Sequence, residues 1–91
     1  MRPVNFYDGF QKLIKKLPPK HAKQIVQKVL ELAANPEAHD VKKLLGYNDK
    51  LRADVGEYRI IFHYDDNCLF VELVGQRNDD EVYRQWARKF K

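Results

Sequence analysis

The chain has 91 residues, the size of one small domain, and 44% of them are hydrophobic, which is enough for a single compact core. No apolar run approaches the roughly 18–20 residues of a membrane span, residues 1–5 lack the apolar block of a signal peptide, and one cysteine excludes an internal disulfide. The net charge of +4 permits a nucleic-acid partner but does not by itself establish one. We therefore expect a single domain, residues 1–91, in a reducing cytosol and away from the membrane.

The first half of the chain predicts a short edge strand at residues 2–5 and then two helices. Apolar residues at helical spacing mark the first helix, which ends at Pro18-Pro19: Phe6, Phe10, Leu13, Ile14 and Leu17. A second stripe runs up to Asn35-Pro36: Ala22, Ile25, Val26, Val29, Leu30 and Ala33. We expect both stripes to face the core and the two helices to form an antiparallel hairpin on a sheet.

The second half predicts strands and a final helix. After a connector at residues 37–47, polar and apolar residues alternate from Lys50, and residues 58–64 are rich in aromatic and β-branched side chains. Residues 65–67 form a turn, residues 68–74 form the next strand, and Asn78 starts an amphipathic helix. The predicted fold is α+β, with an N-terminal helical hairpin packed on a small, mainly antiparallel sheet and a C-terminal helix.

Four basic residues of this half are expected to meet on one surface. Lys50 and Arg52 are two positions apart and so share a strand face, while Arg59 lies in the next strand and Arg77 just beyond the third. Tyr83, in the last helix, is expected to reach the rim. Cations gathered without carboxylate partners favour an anionic ligand, and positioned cations stabilise a phosphodiester transition state. The alternative is that each pairs with a nearby acid: Asp54, Glu57, Asp65, Asp66 or Glu72.

Four segments together resemble the RelE family of toxins, within the wider RelE/ParE superfamily. They are K-L-L-G at 43–46, K-L-R at 50–52, G-E-Y-R-I-I-F at 56–62 and V-G-Q-R-N-D-D-E-V-Y at 74–83. The helical hairpin fits the same fold, so the resemblance covers nearly the whole chain. It implies that the catalytic set of the RNA-cutting members corresponds to Lys50, Arg52, Arg59, Arg77 and Tyr83. Lysine is also familiar at the second of these positions, and arginine keeps the charge but cannot act as a base near neutrality.

The resemblance implies the toxin of a type II toxin–antitoxin system. Such a toxin enters the ribosomal A site, cleaves the mRNA there by attack of a ribose 2′-hydroxyl on the adjacent phosphate, and so inhibits translation. The implied partners are the ribosome with its 16S rRNA, the mRNA, and a cognate antitoxin that forms a hetero-oligomer able to bind operator DNA.

Physical chemistry suggests a role for each member of the set. Lys50, among three cations, or Tyr83 is expected to accept the 2′-hydroxyl proton, and the choice between them stays open. Arg52 and Arg59 suit a phosphate clamp, because the guanidinium fork matches two phosphate oxygens. Arg77 is expected to stabilise the leaving 5′-oxygen.

Other chemistries find little support in the sequence. The histidines at 21, 39 and 63 have no metal-ligand spacing and no glycine-rich phosphate loop is present, so neither a metal nor a cofactor is expected. His63 alternates with Arg59 and is expected to be a supporting or surface residue on the same face. Two alternative functions remain: a poison of DNA gyrase on the same fold, like the ParE toxins, and a non-catalytic RNA-binding or inactive toxin homologue.

Overall fold

The computed structural model describes residues 1–44, 46–47 and 49–77, which form a five-stranded sheet with two helices on one face. The elements are β1 (Val4–Phe6), α1 (Phe10–Lys16), α2 (Pro19–Ala34), β2 (Lys42–Lys43), β3 (Leu51–Val55), β4 (Tyr58–Tyr64) and β5 (Leu69–Gln76). The predicted C-terminal helix and Tyr83 lie outside the described residues. Neither helix in the described part is long and apolar enough to cross a membrane.

The sheet has the strand order β1-β5-β4-β3-β2. Strands β3, β4 and β5 form the predicted antiparallel meander, and β1 joins β5 at the edge as a parallel strand. The prediction of a small, mainly antiparallel sheet is therefore confirmed. The predicted connector also contains β2, a two-residue strand that pairs with β3 and carries two exposed lysines.

Helix α2 begins with Pro19 in its first turn, where proline costs no hydrogen bond. It buries Ile25, Val29, Leu32 and Ala33 against the sheet. The predicted stripe was wrong at two positions, because Val26 and Leu30 remain 39% and 46% exposed. The helix is rotated so that Leu32 takes the inner position instead.

Phe6 was predicted to start the first helix, and this prediction was wrong. It ends β1, and α1 begins four residues later, at Phe10. The side chain is 47% exposed and stacks on Phe10 with ring centroids 4.2 Å apart. Phe6 and Phe10 are four residues apart, a spacing that fits one helix. Here the two rings instead connect the end of a strand to the start of a helix.

The sheet face opposite the helices, called the second face below, carries the basic residues. Its apolar centre is a buried cluster of Leu44, Ile61 and Leu73. On the helix face, alternate residues of the same strands, such as Ala53 and Ile60, join the main core. Arg52, Asp54, Arg59 and His63 alternate with that inner set, and strand alternation therefore directs these polar side chains to the second face.

Candidate functional site

Arg59 and Asp54 form the best-defined contact of the second face. They are direct partners in the β3–β4 register. The guanidinium donates from Nε to Oδ1 at 2.7 Å and from Nη2 to Oδ2 at 3.3 Å. The arginine side chain is only 15% exposed, so this two-point contact fixes its position.

Arg77 reaches the same carboxylate from the end of β5. Its backbone N–H donates to the Glu57 carbonyl in the β3–β4 turn at 3.0 Å, which holds the residue beside Arg59. Its Nη1 lies 3.8 Å from Asp54 Oδ2, and its side chain is 47% exposed. Arg77 is thus the solvent-facing member of the group.

The pKa of Asp54 is lowered mainly by the hydrogen bond from Arg59, while burial opposes that shift. The positive charges of Arg59, Arg52 and Arg77 lower it further. Arg59 and Arg77 contact this carboxylate, and Arg52 acts on it only through its charge. These three predicted site residues are called the arginine cluster below.

Lys50 lies on the same sheet face as the arginine cluster but contacts different carboxylates. It precedes β3, and its Nζ lies 3.0 Å from Glu72 Oε2 and 3.7 Å from Asp49 Oδ2. Four residues separate it from Asp54, or about 13 Å along an extended strand. Arg52 belongs to the arginine cluster and lies two residues from Lys50 on the same strand face, so Lys50 extends the positive surface of the cluster along β3.

Three of these cations have carboxylate partners, which is the alternative that the sequence left open. Arg59 and Arg77 pair with Asp54, and Lys50 pairs with Glu72. The physical reason is that partly buried charges are costly unless an opposite charge neutralises them. Among the described residues, these four cations contact or adjoin three carboxylates, Asp49, Asp54 and Glu72, which leaves an excess of one positive charge.

Glu72 was named from the sequence only as one of five possible partners of the cations, and its burial was not predicted. It is 5% exposed and lies at a register shift, where Phe62 pairs with Val71 but Ile61 pairs with Leu73. This extra residue is a β-bulge, a feature that is frequent beside active sites. In the sequence, the sign of this unusual position is that Glu72 is the single acid inside the apolar run L-F-V-E-L-V.

His63 is held by the same carboxylate. Its Nδ1 lies 2.8 Å from Glu72 Oε2, and its ring stacks on Phe70 with centroids 4.5 Å apart and planes 8° from parallel. The expected supporting role on this face is compatible with that contact. Among the described residues, no group of three or more side chains is arranged to hold a metal ion.

The sequence of the chain matches a known protein family. The sequence profile of the family described as "ParE toxin of type II toxin-antitoxin system, parDE" matches residues 5–81. No curated protein sequence matches the chain.

Several solved structures have the same fold. The chain is similar to the isolated Escherichia coli RelE toxin at 23% identity, with all of both chains covered and a TM-score of 0.72. A mutant of E. coli RelE in the free state gives a TM-score of 0.77 at 23% identity, covering 99% of this chain and 98% of that one.

An archaeal relative is slightly closer in sequence. The RelE–RelB complex of Pyrococcus horikoshii matches at 26% identity with a TM-score of 0.69, covering 85% of this chain and 96% of that one. The profile match spans most of the sequence and the fold is that of RelE. The chain belongs to the ParE toxin family of type II toxin–antitoxin systems, within the RelE/ParE superfamily.

Proposed function

We propose that this protein is a ribosome-dependent endoribonuclease that cuts mRNA in the ribosomal A site and thereby inhibits translation. The observation that carries the proposal is the arginine cluster around Asp54, with Lys50 further along the same sheet face. A binding protein for RNA needs cations at intervals along a backbone, and a nuclease needs several of them at one phosphate. The arginine cluster meets the second requirement.

In this proposal a phosphate replaces the Asp54 carboxylate as the anion that the arginine cluster binds. The fork of Arg59 already meets two oxygens of one anion, as it would in a phosphate clamp. Arg77 is exposed enough to follow a substrate, and Arg52 adds charge from the neighbouring strand position. In the transition state the extra negative charge lies on the phosphate oxygens, where such preorganised cations stabilise it.

All covalent changes of the proposed reaction take place within the RNA. The ribose 2′-hydroxyl attacks the adjacent phosphate, the bond to the 5′-oxygen breaks, and the products end in a 2′,3′-cyclic phosphate and a 5′-hydroxyl. Arginine supplies charge but exchanges no proton near neutrality. We therefore assign the ribosome a part, because 16S rRNA holding the mRNA in attack geometry contributes through proximity and orientation.

A cognate antitoxin is the expected protein partner. The solved structures from P. horikoshii and Methanococcus jannaschii, at 26% and 25% identity, are complexes of RelE with RelB. The positive excess on the second face suits an antitoxin segment with acidic residues. Such a segment would compete with RNA for the same cations and so neutralise the toxin.

A second candidate function is inhibition of DNA gyrase without RNA cleavage. The match of residues 5–81 to the ParE toxin family favours it. The arginine cluster speaks for the nuclease, because a poison that binds a protein target has no need of three cations around one anion site.

Brief expression in cells, followed by mapping of mRNA 5′ ends, separates the candidates. The nuclease predicts new 5′-hydroxyl ends inside translated codons for the wild type and for Lys23→Ala, an exposed lysine of α2, but not for Arg77→Ala. Growth arrest with intact mRNA would reject the nuclease in favour of a gyrase poison. The absence of both arrest and cleavage would leave a non-catalytic homologue.

A further inference from the structure

Lys42 lies on the second face, directly beside the arginine cluster. In the β2–β3 register it is the cross-strand partner of Arg52, and directly paired residues of antiparallel strands project from the same face of a sheet. Lys43, the next residue, pairs with Leu51, which packs against the main core on the helix face. The two lysines of β2 are therefore both exposed, but they lie on opposite faces of the sheet.

The backbone of β2 is anchored on both sides of Lys42. Leu44, two residues later, is buried in the apolar cluster of the second face, and its N–H donates to the Lys50 carbonyl at 2.9 Å. Before the strand, the Val41 N–H donates to the Ala38 carbonyl at 2.9 Å. The side chain of Lys42 is exposed, but it extends from a fixed position of the sheet.

The pair of Lys42 and Arg52 places two positive charges opposite each other. The Cβ atoms of such a pair are about 4.5–5.5 Å apart, and like charges directly opposite destabilise a sheet. In the part of the chain that the structure describes, no salt bridge joins either side chain to a carboxylate. Cations that repel each other in this way are expected mainly where an anion binds between them.

Protection of the sheet edge is another task that charged residues perform on a short outer strand. It accounts for Lys43, whose charge discourages the approach of another strand. It does not account for a cation at position 42, because an acidic residue there would protect the edge equally and would also neutralise Arg52. The choice of lysine opposite arginine therefore favours an anionic ligand.

The Lys42–Arg52 pair and the Asp54–Arg59 pair are successive pairs on this face of β3. Arg52 and Asp54 are two residues apart, or about 7 Å along the strand, and neighbouring strands are about 5 Å apart across the sheet. The resulting separation of the two pairs is similar to that of consecutive phosphates in an extended RNA chain. A phosphate at each pair therefore fits one continuous backbone.

We propose that Lys42 and Arg52 bind the mRNA phosphate next to the one that is cut, and that Lys42 contributes to binding and not to proton transfer; the proposal rests on the nuclease function above. The Lys42 ammonium acts as a point charge, and the Arg52 guanidinium lies between the two phosphates. Two bound phosphates fix the position and the direction of the RNA backbone at the cut. Because phosphate contacts position RNA without reading its bases, Lys42 does not determine the codon preference.

Single-turnover cleavage of mRNA on programmed ribosomes, measured over a range of toxin concentrations, tests this site. Lys42→Ala should raise the concentration that gives half the maximal rate roughly fivefold, because it removes one phosphate contact. The rate at saturation should stay within about twofold, since this contact is made alike in the ground state and the transition state. Lys42→Arg should restore the wild-type value, and codon preference should not change.

Lys43→Ala is the matched control, because it removes the same charge from the same strand on the helix face. It should cut as the wild type does at every concentration. Thermal unfolding of both variants monitors the fold. Lys42→Ala should be at least as stable as Lys43→Ala, because it relieves the repulsion from Arg52.

Two modified mRNAs identify the phosphate that Lys42 contacts. In each, an uncharged methylphosphonate replaces the phosphate on one side of the cut. Wild-type protein should bind one of them roughly fivefold more weakly, as expected for the loss of one phosphate contact. Lys42→Ala should lose nothing further on that mRNA, because both changes remove the same contact, whereas Lys43→Ala should lose as much as the wild type.

The failure of the nuclease function and the failure of this site give different results. If wild-type protein cuts no ribosome-bound mRNA, the nuclease function itself fails. If the wild type cuts and Lys42→Ala is indistinguishable from Lys43→Ala, Lys42 binds no RNA and the proposal is overturned. If the loss in Lys42→Ala adds to that of both modified mRNAs, Lys42 contacts rRNA instead, which also overturns it.

Discussion

Asp54 and Arg59 lie directly opposite each other on β3 and β4, and the guanidinium contacts both carboxylate oxygens, at 2.7 and 3.3 Å. This contact holds the arginine side chain in a fixed position. Positioned charges act strongly on a transition state because they need little reorganisation during a reaction. In the proposed nuclease, Asp54 therefore prepositions the Arg59 guanidinium.

Replacing Arg59 should reduce cleavage more than it reduces binding of the toxin to ribosomes. Arg59→Ala is expected to lower the cleavage rate by roughly 10²–10³-fold, about 3–4 kcal/mol of transition-state stabilisation. Arg59→Lys keeps the charge but loses the fork, so it should recover only part of the rate. The measurement is single-turnover cleavage on programmed ribosomes, with Lys23→Ala as the control; equal rates for Arg59→Ala and wild type would remove Arg59 from the site.

The Asp54 carboxyl should make folding stability sensitive to acid. Its pKa is lowered in the folded state, chiefly by the hydrogen bond from Arg59, so it stabilises the fold above its unfolded pKa of about 3.9. That stabilisation is lost as the pH falls through the lower folded pKa. The free energy of unfolding of the wild type should therefore exceed that of Asp54→Asn near pH 6.

Urea unfolding of both proteins between about pH 2 and pH 6 measures this difference. It should shrink as the pH falls, since protonated Asp54 no longer attracts the three arginines. Asp40, whose pKa is lowered mainly by its hydrogen bond from Lys28, titrates in both proteins and cancels in the comparison. A difference that stays constant across this range would show that the Asp54 charge does not stabilise the fold.

Phe62 is expected to be critical for stability rather than for activity. It is fully buried on the helix face of β4. Phe62→Ala should cost about 3–5 kcal/mol, a large part of the about 5–15 kcal/mol that stabilises a small domain. Phe6→Ala removes the same ring from a 47% exposed position and should cost about 1 kcal/mol, through lost stacking on Phe10. Comparable losses for the two variants in urea unfolding would contradict the assigned core.

Gly56 permits the turn that positions the arginine cluster. Its φ of +56° is left-handed, and a Cβ there would lie 3.0 Å from Gln24 Oε1. Gly56→Ala should therefore destabilise the protein by about 1–2 kcal/mol. Gly56→Asn should lose less, because asparagine tolerates this conformation better. Thermal unfolding compares the two, and an unchanged melting temperature for alanine would show that the turn relaxes without strain.

Much of the fold follows from simple periodicity. The β3–β5 meander could be predicted because polar and apolar residues alternate and turn residues separate the runs. Helix α2 could be predicted from its apolar spacing, but its rotation could not, since Val26 and Leu32 are equally compatible with a 3.6-residue repeat. Phe6 was misplaced for a related reason: one aromatic residue fits the end of a strand as well as the start of a helix.

The site was only partly predictable. Strand alternation puts Arg52 and Arg59 on one face without knowledge of the fold. Lys50 shares that face, but its pairing with Glu72 rather than Asp54 could not be predicted, because sequence spacing does not give the distance along a strand to each partner. The contact of Glu72 with Lys50 and His63 depends on a β-bulge in β5. A bulge adds one residue to a strand, and in an apolar run the sequence gives no sign of it other than the acid itself.

The central claim is that this toxin cuts mRNA and that its target is the ribosome-bound message. The most direct measurement incubates purified protein with mRNA on programmed ribosomes, with the same mRNA free, and with DNA gyrase and plasmid. Ribosome-bound mRNA should acquire 5′-hydroxyl ends within codons, free mRNA should stay intact, gyrase should be unaffected, and Arg77→Ala should cut nothing. Intact ribosome-bound mRNA together with blocked gyrase would contradict it.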